Sequence, residues 1–409
     1  MKTFLAIGTL SLLFIPTLPE EPAQQRTIQG RWEAELNHWN ESAWVHVELR
    51  TEIDGDRVHH GNSFRPGELE GLDLRSDRQG AVSFELRREA GTIVFQGDQD
   101  GDEASGEFVW TGSDAFIDAM AELGYRSISE REQFSMTLQD VTTGFVTAMR
   151  DRGYADLSKR DLIRMRIHGV SPEFVDGMAG AGYPDLPAAE LVRFRIHGVS
   201  PQFVAEMGDA GYAGLSADDL QRARIHGVSP EYVAEMTAAG LSRMSFDEVV
   251  RMRIHGVDSE FIADMAELGY ANLSANDLRR ARIHGVSAEF VHEMSEAGFD
   301  RLSMDDLVQM RIHGVSPEFV SGMAEMGYAD LSFGTLRQMR IHGVSPEFIR
   351  EMAGAGYEDI PADLLVRMRI HGVDADFVEE LEDHNFTGLR AEELVEAKIH
   401  SSWWRGRGR

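Results

Sequence analysis

Eight histidines, His168, His197, His226, His255, His284, His313, His342 and His371, follow one another at intervals of 29 residues, each inside an Arg-Ile-His-Gly-Val pentapeptide. Imidazoles ligate metals and carry protons, so their recurrence raises the prospect of a metal ladder. With zinc–nitrogen bonds near 2.1 Å, two imidazoles sharing an ion must stand within about 4 Å of each other. Equivalent atoms on neighbouring packed helices stand roughly 9–10 Å apart. The spacing therefore predicts structural histidines that bond terminal carbonyls and complement the negative end of a helix. No metal or other cofactor is expected. Two residues before each histidine runs a second ladder, Arg166, Arg195, Arg224, Arg253, Arg282, Arg311, Arg340 and Arg369. These arginines can grip a linear anionic partner. They can also pair internally with the acids that open the next helix, such as Glu173, Glu231, Glu260, Glu289, Glu318 and Glu347. Internal pairing is the favoured reading, because stacking alone would repeat it.

Other candidates for chemistry are weaker. His292-Glu293-Met294-Ser295-Glu296 opens like a zinc-protease motif but ends in Glu where the second histidine belongs. Asp98, Asp100 and Asp102 resemble a calcium loop, yet the glycine falls at Gly101 and no glutamate closes the loop, so a hairpin tip is expected. No nucleophile elbow, phosphate loop or dinucleotide fingerprint is present. An enzymatic alternative would place a hydrolytic or ligand-processing site among His38, His46, His59 and His60, and requires those side chains to converge. The segment Trp403-Trp404-Arg405 opens a basic, aromatic tail over 403–409. Its tryptophans are expected to cover the end of the last helix pair; docking to an anionic surface is the other reading.

Composition narrows the partners. The 69 acidic against 40 basic residues leave a formal charge of −29, which repels phosphate backbones and argues against nucleic acid. There is no cysteine, hence no disulfide or thiolate site. Lys2, an apolar run over 4–15, then Pro16, Pro19, Glu20 and Glu21 predict a secretory signal peptide over 1–23, and so export to the periplasm or beyond the cell. No later segment is apolar enough to span a bilayer.

The elements that position these residues are short helices. A second landmark, Phe116, Phe145, Phe174, Phe203, Tyr232, Phe261, Phe290, Phe319, Phe348 and Phe377, keeps the same 29-residue phase, so ten units cover 113–402. Within a unit, Ser171-Pro172-Glu173-Phe174 reads as a helix start: a capping hydroxyl, proline in the first turn, an acid at the positive end. Gly182 and Tyr183 read as its stop. Ser216 with Asp219, Ser245 with Glu248, Ser274 with Asp277 and Ser303 with Asp306 read as capping boxes opening a second helix, which the His-Gly-Val segment closes. Helices of about ten residues are marginal alone, so the units must stack, which predicts an α-solenoid of 29-residue two-helix repeats roughly 80–100 Å long. Residues 126–138 break the second-helix pattern, and Asn385 stands where a stop glycine is usual.

Residues 28–112 have another grammar. Runs over 31–36, 43–51, 81–87, 91–96 and 106–111 are rich in Val, Phe, Trp and Ile and are separated by turn residues. They predict a small antiparallel β-domain of five or six strands, a meander forming a half-barrel or sandwich. Gly30-Arg31-Trp32, Gly91-Thr92-Ile93-Val94-Phe95 and the repeated Phe-Val-x-x-Met-x-x-x-Gly-Tyr helices together resemble the C-terminal extracytoplasmic regions of bacterial antirepressor-type metallopeptidases of the beta-lactamase-regulator family, and related stand-alone secreted proteins. The likeness covers about 28–402 and implies sensing or partner binding. It does not imply proteolysis, since the peptidase's membrane helices and zinc motif are absent from this sequence. The sequence as a whole predicts a non-enzymatic scaffold with a protein partner.

Overall fold

A computed structural model describes residues 26–37, 44–72 and 79–400. The expected signal peptide, His38 and the tail with Trp403, Trp404 and Arg405 lie outside the described residues. Among the described residues seven strands are followed by twenty α-helices, a β-domain and then a helical repeat region. No helix among the described residues is long and apolar enough to cross a membrane. The chain forms two compact units that meet in sequence between Pro201 and Gln202.

In the first unit, β1 (Thr27–Asn37), β2 (Trp44–Ile53), β3 (Asp56–Phe64), β4 (Leu69–Glu70), β5 (Gln79–Arg88), β6 (Gly91–Asp100) and β7 (Glu103–Gly112) form one antiparallel sheet. Its order is β3-β2-β1-β7-β6-β5-β4. It is therefore not a sandwich, nor a single meander: two meanders join where β1 pairs with β7. All five expected runs lie in strands. The two others escape the sequence pattern because β3 is an edge strand rich in polar residues, burying only Val58 and Phe64, and β4 has two residues. Asp54 and Gly55, both at positive φ, make the two-residue turn from β2 to β3. Asp100 pairs with Glu103 across Gly101 and Asp102, so the acidic run is a hairpin tip. Gly97 faces Gly106 on β7, where a Cβ on either would lie 2.0 Å from a backbone oxygen; only glycine permits that approach.

The sheet buries one aromatic face. Trp32 meets Phe84 edge-on at 5.0 Å, and Phe84 stacks on Phe95 at 4.5 Å. Two helices follow, α1 (Asp114–Glu122) and α2 (Glu130–Leu138). The irregular α2 seals this face: Phe134 stacks on Phe108 at 6.0 Å and meets Trp110 at 5.5 Å, and Leu138 joins the same core. Gln133, wholly buried, donates to the carbonyls of Ala90 and Ser113, while the Trp110 indole donates to Thr137 Oγ1 at 3.0 Å. A helix sunk in a sheet cannot keep the one-sided stripe of the later helices, which is why 126–138 departs from it.

The remaining helices of this unit are α3 (Thr143–Asp151), α4 (Lys159–Ile167), α5 (Pro172–Gly180) and α6 (Ala188–His197). Ser158 and Ser171 cap α4 and α5 by accepting from Asp161 N and Phe174 N. Gly182 has φ 96°, and Tyr183 N closes the end of α5 onto Met178 O at 2.9 Å. Second helices pack on second helices (α4 on α6) and first on first (α3 on α5). Tyr154 donates its hydroxyl to Leu186 O at 2.6 Å.

The second unit continues this pattern. Its second helices are Ala217–Ile225, Phe246–Ile254, Ala275–Ile283, Met304–His313, Phe333–Ile341, Ala362–His371 and Ala391–Ile399. Reciprocal capping boxes form at Ser245 with Glu248 and Ser303 with Asp306. At Ser216 and Ser274 the aspartate takes the serine hydroxyl instead. Asn385 adopts φ 64°, doing the work of the absent stop glycine. Tyr212, Tyr270, Tyr328 and Tyr357 donate to the carbonyls of Met244, Leu302, Ile360 and Leu389, each 32 residues on. These hydroxyls tie one helix pair to the next.

Candidate interaction surface

The recurring pentapeptide resolves into five different jobs. Its arginine lies over an aromatic ring 21 residues back: Arg166 over Phe145, Arg195 over Phe174, Arg224 over Phe203, Arg253 over Tyr232, Arg282 over Phe261, Arg311 over Phe290, Arg340 over Phe319 and Arg369 over Phe348. The distances to the ring centroid run from 4.5 to 5.4 Å. Four of them also donate Nε to a carbonyl at the end of the preceding second helix or its equivalent: Arg166 to Gln139 O, Arg195 to His168 O, Arg253 to Gly227 O and Arg282 to Gly256 O. Helix ends leave carbonyls unpaired, and a guanidinium is the donor that fills them while its plane covers a ring.

This differs from the expected ion pairs with the acids of the next helix. Arg166 does form an ion pair, but with Asp140 at 3.0 Å, and Arg282 lies 3.7 Å from Asp258. Glu173, Glu231 and Glu318 are held below the ordinary carboxylate range first by the hydroxyls of Ser171, Ser229 and Ser316. Arg224 and Arg311 add only a longer-range pull on Glu231 and Glu318. The ring was the better partner because the arginine emerges beside it, while the acid is already occupied at its own cap.

The glycine of the pentapeptide is left-handed, and its bare surface also receives the next arginine. A Cβ on Gly169 or Gly285 would come within 2.9 Å of the guanidinium of Arg195 or Arg311. The valine is core: Val170, Val257, Val315 and Val373 are fully buried. The histidines sit at or next to the C-cap, half-buried or exposed. His313 brings Nε2 to 3.1 Å from Gln309 Oε1 one turn back. Among the described residues no three His, Asp or Glu side chains are grouped so as to hold a metal ion.

The isoleucine is the member that packing leaves unexplained. Ile167 and Ile196 in the first unit, and Ile225, Ile254, Ile283, Ile312, Ile341, Ile370 and Ile399 in the second, are 44–56% exposed. From Ile254 onward the helices that carry them pack one on the next, so these six form a row. Isoleucine is not a preferred residue for an exposed helical turn. The exposed position seven residues before the isoleucine varies more: Arg160, Ala189, Asn276 and Gly334 stand there in four copies and an acid, as Asp218 or Asp247, in the other five. One turn before each isoleucine lies a mostly cationic row, including Arg164, Arg193, Arg251 and Arg367. Elsewhere in this row Arg222 and Arg280 are paired across to Asp247 and Asp305 of the following helix. The signal for the isoleucines was present in the sequence. Leu162 and Met165 mark the buried stripe, and Ile167 falls two residues off it.

Of the described β-domain histidines, His46 and His59 share the solvent face on either side of Glu48, and His60 lies on the opposite face. His46 on the solvent face meets Ser63 Oγ at 3.1 Å and borders a cavity of about 570 Å³ with Glu33, Glu35, Glu48, Asp98 and Asp100. His59 pairs with Glu48 at 3.2 Å and, as hydrogen-bond partner, lowers that carboxyl's pKa. His60 lies on the opposite face against Phe134 at 5.7 Å, where burial pushes its pKa down. His292 and Glu296 lie 3.6 Å apart on an exposed helical turn. No family model matches the chain, and no curated protein matches it.

Proposed function

We propose that the chain is an exported, non-enzymatic interaction protein. In this reading 113–402 is an α-solenoid of ten 29-residue units, 28–112 is its β-domain, and the isoleucine row receives a polypeptide partner. The observation that carries it is the persistence of an exposed isoleucine in copy after copy, where neither burial nor a helix cap accounts for it. Burying the exposed half of one such side chain contributes roughly 1 kcal/mol, so six in a row supply enough to offset part of the cost of association. The partner's chemistry follows from the surface. It presents apolar side chains at the spacing of packed helices, roughly 8–10 Å, with carboxylates or amide oxygens beside them to meet Arg251 and Arg367. The likeness to extracytoplasmic sensing regions agrees with this. A hydrolytic site in the sheet is less well supported: His60 is on the opposite face from His46 and His59, and the Glu48 between those two is taken up by ion pairs with His59 and Arg50.

The test is a triple variant of the full chain, Ile283→Ser, Ile312→Ser and Ile341→Ser, compared with the parent. Helical circular dichroism and melting temperature should be nearly unchanged, since these side chains lie outside the core. Proteins retained from envelope extract by the parent should be lost by the variant. Equal retention by both would sink the proposal.

A further inference from the structure

The last described helix pair carries an apolar groove. It measures about 540 Å³ and is lined by Leu381, Phe386, Leu389, Glu393, Ala397 and His400, among others. Comparison with the preceding copies shows its origin. Met339 and Met368, the counterparts of Ala397, are fully buried. Ala397 and Leu389 are half-exposed, and Phe386 is 46% exposed. Tyr357 reaches the carbonyl of Leu389 with its hydroxyl. Phe386 stands 29 residues on, without the hydroxyl, as do Leu241 and Phe299 in interior copies, but here the ring is exposed.

We propose that this groove is the seat of the chain's own segment Trp403-Trp404, held in cis. Three observations select that occupant. His400 itself borders the groove, and the two indoles follow it by three and four residues, within reach of its floor. In the 29-residue frame Trp403 stands at the position of Asp374, which caps the preceding first helix. Charge agrees: Arg405, Arg407 and Arg409 follow the tryptophans, and Glu393 and Glu396 stand on the rim. The segment thereby covers an apolar groove that would otherwise stay open to another molecule.

The experiment uses the full chain labelled with 5-fluorotryptophan, its 19F resonances for Trp403 and Trp404 assigned with W403F and W404F. A soluble gadolinium chelate reports which indoles are exposed. At least one of the two should be protected as well as Trp32 and Trp110, which are buried in the sheet. A397E, and separately F386S, should remove that protection while Trp32, Trp110 and the helical dichroism stay as they were. Full exposure of both indoles in the parent overturns the proposal. So does protection that survives both groove variants. Protection that disappears on dilution means that a second copy supplies the tryptophans, which also overturns docking in cis.

Discussion

The β-sheet and the helical region solve the same burial problem in opposite ways. The sheet's core is aromatic and assembled from distant residues: Trp32, Phe84, Phe108 and, from a helix, Phe134. The helical core repeats a single aromatic ring, such as Phe261 or Phe290, among methionines and aliphatic side chains. It is assembled from near neighbours, with links that reach 21 residues through an arginine or 32 through a tyrosine and then recur. In the sheet each contact is made once, so losing one is felt by the whole unit. In the helices each contact is one of several equivalents. A repeated architecture spreads its stability over nearest neighbours, and that leaves a surface position free to be kept for something other than folding.

The largest effect should come from the point where the two designs meet. Phe134→Ala removes a fully buried ring from between Phe108 and Trp110, and should cost about 3–5 kcal/mol in a denaturant melt. A cost below about 1 kcal/mol would mean that α2 is an accessory to the sheet and not part of its core. In the repeat, Gly240 ends its helix at φ 91° with open space around it, so a side chain meets backbone strain and no clash with other residues. Gly240→Val should cost about 1–2 kcal/mol or somewhat more. His226→Gln, at an exposed C-cap, should cost less than about 1 kcal/mol. If the histidine variant is the more damaging of the two, the histidines belong to a network or bind something.

The smallest effect is a pH dependence. Tyr232 is buried beneath Arg253 and donates to Val257 O at 2.7 Å; burial pushes its pKa up to about 12. Because its folded pKa lies above its unfolded one, its stabilising share is complete below about pH 10 and is lost as the pH rises through about 12. Tyr270, Tyr328 and Tyr357 are shifted the same way, first by burial. Ultraviolet titration should therefore show tyrosinate forming later in the folded chain than in denaturant, with helix content falling in the same alkaline range. Tyrosines that titrate alike in both states would remove the inter-pair hydroxyl links from the picture.

Much of the helical region could be read before any coordinates, and the reason is range. A cap is decided within four residues, so Ser171, Ser245 and Ser303 announced their helices, and Gly182 and Asn385 their stops. The apolar alternation of five strands was equally local. The polar β3 stayed hidden because an edge strand is held by its neighbour's backbone and needs few apolar side chains of its own.

What only the tertiary structure decided is which partners meet across the packed helices and strands. By charge alone Glu173 and its counterparts were the evident mates for the arginines, yet the rings of Phe145 to Phe348 take the guanidiniums because packing brings them alongside. Likewise α2 was visible as an irregular helix, but only the sheet's open aromatic face makes Gln133, Phe134 and Thr137 the buried side of it. The isoleucines were in plain view in every copy. That they stand outside the core became evident only in the assembled helices, which bury Leu162, Met165 and Val170 and leave Ile167 exposed, because burial is a property of the assembled neighbours and not of the residue.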